Sequence, residues 1–123
     1  MTNTDCPISL SVATDPHLAR LVRMTAANVA MLSSMSVDRV EDIRMAAEEA
    51  FIYACSSSDA RSTVISFDAD CDHVAMTFEL PCDDFSDDSQ ESVYADLILA
   101  SVCDSYEKET APARLHLELK ADV

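Results

Sequence analysis

The sequence predicts an α+β protein, a two-layer α/β sandwich whose mainly antiparallel sheet is covered on one face by three helices. Three observations carry this. Four segments alternate apolar and polar residues as half-buried strands do, and a fifth does so weakly. Three longer segments repeat apolar residues at helical spacing. The resulting order is strand, helix, helix, strand, strand, helix, strand, strand, which lacks the regular strand–helix alternation of a parallel sheet.

Taken in order, Pro7–Ala13 reads as a strand, with Ile8, Leu10 and Val12 on one face. In Thr14-Asp15-Pro16, Asp15 can cap a helix and Pro16 suits its first position. Leu18, Leu21, Val22, Thr25, Val29 and Leu32 then form the expected core stripe of a first helix that ends near Ser33–Met35. A second helix starts at Ser36, with Asp38, Glu41 and Asp42 where the helix dipole favours acids. Its core stripe is Val40, Ile43, Ala47, Ala50, Phe51 and Ala54, and Ser56–Asp59 breaks it. Strands at Thr63–Asp68 and His73–Leu80 are joined by a connection of hairpin length. Pro81–Ser89 is an acidic loop, and Gln90–Asp104 is helical, with Val93, Tyr94, Leu97, Ile98 and Val102 at helical spacing. Ser105–Thr110 is weakly strand-like, and in Ala113–Lys120 Leu115, Leu117 and Leu119 alternate with His116 and Glu118.

A length of 123 residues fits one domain, spanning 1–123. There is no glycine, where average usage would give roughly nine. Turns must then use Asp, Asn, Ser or Pro, and a glycine-rich phosphate loop is excluded. The formal charge of −15 excludes nucleic acid and an anionic membrane surface as partners and favours a basic docking partner, with plain solubility as the alternative reading. The five cysteines show no C-x-x-C pair and no zinc spacing with His17, His73 or His116. Free thiols without a signal-like start point to the cytoplasm.

The order of elements, with three local strings, resembles the anti-sigma factor serine-protein kinases (RsbW/SpoIIAB type) of the GHKL ATPase superfamily, whose members include gyrase, heat-shock chaperones, histidine kinases and MutL. The strings are Val40–Cys55, VEDIRMAAEEAFIYAC; Ser92–Glu109, SVYADLILASVCDSYEKE; and the closing ARLHLELK. The resemblance implies a histidine-kinase-like ATPase domain over 1–123 with degenerate nucleotide motifs. Glu49 stands at the family's general-base position, and Tyr53 stands where the family has its metal-binding Asn. A phenol is a poor ligand for a hard cation. The family's adenine motif, Asp-x-Gly, falls on Leu80-Pro81-Cys82, or on Glu79-Leu80-Pro81 if shifted by one, and the glycine is missing in both. The glycine-rich lid corresponds to Asp83–Ser92, whose five carboxylates would repel a triphosphate.

These departures imply a regulatory protein that binds a sigma factor or an anti-sigma antagonist without kinase activity, using Arg20, Arg23 and Asn28 on the exposed side of the first helix. Family members dimerise, so a homodimer is an expected state. No cofactor is then expected. One alternative is an ATP- and magnesium-dependent serine-protein kinase in which Glu49 is the base. Another is a small-molecule sensor that uses the remodelled pocket, whose wall would be the Met45, Glu49, Ile52 and Tyr53 face of the second helix. Plain structural readings stand beside these: Glu49 as a solvated helix residue, Asp83–Glu91 as a solvated loop and not a calcium site, Ser56–Ser58 as a helix stop, and the three histidines as exposed.

Overall fold

The computed structural model describes residues 8–85 and 90–123. Five strands form one sheet: β1 (Ile8–Ala13), β2 (Ser62–Ala69), β3 (His73–Glu79), β4 (Ser105–Glu109) and β5 (Arg114–Lys120). Their spatial order is β1-β2-β3-β5-β4, with every neighbouring pair antiparallel. Three helices, α1 (Ala19–Ala30), α2 (Val37–Ser56) and α3 (Gln90–Val102), cover one face, and α2 packs against both of the others. The expected α+β class and antiparallel sheet are thus present. Pro7, Cys6 and the loop residues 86–89 lie outside the described residues.

The strand alternation sets the core. Leu10 pairs with Ile65, Ile65 with Phe78, and Phe78 with Leu115, so one inward row crosses four strands. Phe67, Met76, Leu117 and Tyr106 form the next. The outward face is polar and carries His73, Thr77, His116, Glu118 and Glu109. Two histidines expected to be exposed are half-buried there: Nδ1 of His116 lies 3.1 Å from the Thr77 hydroxyl, and His73 lies 2.9 Å from Asp70.

Polar side chains close most turns in place of glycine. Asp15 Oδ1 accepts the His17 amide at 3.0 Å and opens a single 3-10 turn, Pro16–Leu18, before α1. Ser36 caps α2 by accepting from the Arg39 amide at 3.1 Å. In the β2–β3 hairpin, Asp70 Oδ1 accepts from the amides of Asp72 and His73, and these bonds hold its carboxyl below the usual carboxylate range. One turn departs from the expected residue set. Ala111, between β4 and β5, has φ 58°, in the left-handed region where an alanine costs about 1 kcal/mol.

The helical stripes differ from the expected ones in a consistent way. On α1 the buried residues are Ala19, Val22, Ala26, Val29 and Ala30, whereas Leu21 and Leu32 are exposed. On α3, Ala95 and Leu99 are buried, whereas Val93, Tyr94 and Leu97 face outward. Alanines take many of the buried places on the helices, beside Val22, Ile43, Phe51 and Leu99, and several larger apolar residues are left outside. Met45 and Ile52 of α2 are also exposed.

Arg39 ties the ends of the fold together. Its guanidinium donates to the carbonyls of Lys120 (2.9 Å) and Val102 (3.3 Å) and to the carboxylates of Asp42 (3.1 Å) and Asp104 (2.6 Å). Asp104 also accepts the Lys120 amide at 2.6 Å. Replacing Arg39 with alanine leaves two acids and two carbonyls short of a donor. Arg39→Ala therefore lowers unfolding free energy by about 2 kcal/mol or more, measured as a lower urea midpoint at unchanged slope.

Candidate functional site

Two grooves flank α2, and five of the residues singled out from the sequence, Glu49, Tyr53, Arg20, Arg23 and Asn28, divide between them. The first lies between α2 and α3. It is a cleft of about 200 Å³ lined by Glu49, Ile52, Tyr53, Ser56, Tyr94 and Ala95. Tyr53 forms its floor and is only 2% exposed. The Tyr53 ring stacks on Phe85, with centroids 5.4 Å apart and an interplanar angle of 22°. Phe85 is buried and comes from the segment that follows β3, so this contact draws that segment down onto α2.

The Tyr53 hydroxyl accepts hydrogen bonds from Lys108 Nζ at 2.9 Å and from the Ser92 hydroxyl at 3.3 Å. Lys108 also donates to Asp96 Oδ2 at 3.1 Å, and Asp96 Oδ1 accepts the Tyr106 phenol at 2.6 Å. Burial, and secondarily the bond to Asp96, push the Tyr106 phenol far above its usual range, so it stays a donor. Residues from α2, α3 and β4 thus share one polar network beneath the cleft. No cation near Tyr53 was expected from the sequence, and Lys108 is the residue missed. Alternation in Ser105–Thr110 puts Tyr106 and Lys108 on one face of that strand, but only its pairing with β5, opposite Leu117 and Leu115, brings that face towards Tyr53.

Glu49 faces the cleft differently. Its carboxylate makes no hydrogen bond and no ion pair among the described residues, although the residue is only partly exposed. Burial, and then the charge of neighbouring Glu48, raise its pKa above the ordinary 4.5. Leu80 and Cys82 do not line this cleft. Leu80 is buried, and its amide donates to Ala113 O at 3.0 Å, while Cys82 O accepts the Ala113 amide at 2.8 Å. Both serve the junction between β3 and β5. Among the described residues, no cluster of three or more His, Cys, Asp or Glu could hold a metal ion.

The second groove, of about 320 Å³, lies between α1 and α2 and is lined by Arg20, Arg23, Met24, Ala27, Asn28 and Arg44. It brings together all three residues expected to bind a partner and adds Arg44. Three of the chain's eight basic residues converge here. Arg23 pairs with Glu48 at 3.3 Å and Arg44 pairs with Glu41, whereas Arg20 has no ion pair among the described residues. The groove's lining holds three guanidinium groups and no carboxylate on a chain of net charge −15, with Arg20 the one not offset by a paired acid among the described residues. No helix among the described residues is long and apolar enough to cross a membrane.

No protein-family model and no curated protein sequence matches the chain.

Because its pKa is raised on folding, Glu49 binds its proton more tightly in the folded state than in the unfolded one. Its contribution to stability is therefore present at low pH and lost as pH rises through the folded-state value. Glu49→Gln removes that loss. Thermal melts are expected to show a higher Tm than wild type at pH 7, with the two curves converging below pH 4.

Proposed function

We propose that the protein is a non-catalytic regulatory module of the anti-sigma kinase type, which acts by binding a protein partner, a sigma factor or an anti-sigma antagonist. The observation that carries this reading is the packing of Tyr53 on Phe85, with Lys108 on the phenol, at the place where the resemblance puts the phosphates and their metal. The remaining cleft of about 200 Å³ falls below the roughly 300–1,000 Å³ usual for small-molecule pockets. Phosphoryl transfer relies on metal and positive charge placed around the transferred group. Here the lining offers one carboxylate and no cation, and the nearby ammonium of Lys108 is already held by Asp96 and Tyr53. Binding can outlast such a loss, since a docking face and a catalytic site are separate parts of a fold. The groove of Arg20, Arg23, Asn28 and Arg44 supports a docking role, because guanidinium groups suit desolvated contacts with partner carboxylates.

Titration of the protein with Mg-ATP and Mg-ADP in a calorimeter tests this reading, with thermal melts alongside. No heat of binding and an unchanged Tm are expected. A nucleotide bound with a Kd of about 10 μM would add about 2.7 kcal/mol of stability at about 1 mM ligand, a shift of several degrees. Such a shift would overturn the proposal and restore the kinase alternative with Glu49 as base.

A further inference from the structure

Two features of the α2–α3 cleft remain unexplained by a filled nucleotide site. Glu49 is a carboxylate partly removed from water with no partner, a state that costs free energy unless something supplies a charge. Beside it, α3 exposes Val93 (57%), Tyr94 (64%) and Leu97 (65%), at i, i+1 and i+4, so they form one apolar stripe. Ile52 of α2 is exposed next to Tyr94 across the cleft. Contiguous exposed apolar residues on a single chain mark an interaction surface.

The chemistry of the occupant follows from charge. The cleft lining contains an acid and no base, and the chain carries −15 overall. A second copy of the chain would bring another −15, and two of the three arginines in its groove are already paired with Glu48 and Glu41, so it suits the cleft less well than a basic partner. An anionic membrane or a nucleic acid is disfavoured by the net charge. We infer that the α2–α3 cleft and the Val93–Tyr94–Leu97 stripe form a docking surface for a basic amphipathic segment of a partner protein, one of whose lysine or arginine side chains enters the cleft and pairs with Glu49. The apolar stem of that side chain lies along Ile52 and the Tyr94 ring, where the ring face also favours a cation. The segment's apolar face covers Leu97 and Val93. This surface lies on the opposite side of α2 from the arginine groove and is independent of the role proposed for that groove.

The test uses a fluorescently labelled amphipathic helical peptide of about 18 residues built from Leu and Lys, with a Leu/Glu peptide of the same pattern as control. Anisotropy is measured at about 150 mM salt, where long-range attraction to the net charge is screened. The Lys peptide is expected to bind and the Glu peptide not to. Glu49→Gln weakens binding about fivefold and Tyr94→Ala about tenfold. Glu107→Gln, which removes one charge from the outward face of β4, leaves binding unchanged. Circular dichroism confirms that each variant is folded. Absence of binding, or equal binding by wild type and all three variants, would overturn the inference, the latter because it would mean attraction to net charge alone. Displacement of the peptide by millimolar butylamine with no weakening in Tyr94→Ala would overturn it too, in favour of a small-amine site.

Discussion

Lys108 is an ammonium group on the inward face of an edge strand, and much of the helical layer is arranged around it. A charge taken from water must be paired and hydrogen-bonded or it destabilises the fold. Asp96 of α3 supplies the counter-charge and Tyr53 of α2 supplies a phenolic oxygen, so the lysine binds two helices to β4 at once. Tyr106, on the same strand and face, completes the shell by donating to Asp96. An inward charge on an edge strand also discourages that edge from pairing with another chain. The phenol that serves the lysine at its hydroxyl serves Phe85 at its ring face. One side chain thus fixes α2, α3, β4 and the segment after β3.

The two grooves follow from this arrangement. Alanines hold many of the buried places on the helices, while the larger apolar side chains Met24, Met45, Ile52, Tyr94 and Leu97 lie on the outside. The rim charges then separate the two surfaces. On the α1 side arginines collect, and on the α3 side stands an unpaired Glu49. A chain of strongly acidic composition therefore presents one surface suited to carboxylates and another suited to a cation. Composition alone favours a basic partner, but the residues of the α1 groove suit an acidic one.

The strands were the most legible part of the fold. Period-2 alternation in Pro7–Ala13, His73–Leu80 and Ala113–Lys120 identifies those strands and the face each one buries, and Thr63–Asp68 is legible as a strand without its face. The helices are legible in position and less so in facing, because a stripe of large apolar residues does not show where alanines are buried. Leu21 and Leu32 fit the expected stripe of the first helix, yet they are exposed while Ala26 and Ala30 are buried, and on α3 Ala95 is buried while Val93 and Leu97 are exposed. At the candidate site, Tyr53 and Glu49 were legible through the resemblance, which puts both on the second helix, whereas Met45, on the same expected face, does not line the cleft. Lys108 and Phe85 were not legible, because their approach to Tyr53 depends on β4 pairing with β5 and on the path of the chain after β3. Nor does the sequence reveal that Arg44 joins Arg20, Arg23 and Asn28, which requires the packing of α1 on α2. The missing glycines were informative wherever a side chain could make the turn, as Asp70 does, and uninformative at Ala111, where the backbone takes a left-handed conformation without one.

A double-mutant cycle on Tyr53→Phe and Lys108→Met tests the central interaction most directly, because each change removes one side of the same contact while keeping the bulk of the side chain. If the phenol and the ammonium hold the layer together, the urea unfolding free energies of the two single variants and the double variant are non-additive, with a coupling of about 1 kcal/mol or more. Additive losses would mean that Tyr53 and Lys108 act separately, and would contradict the view that a single network closes the site and joins α2, α3 and β4.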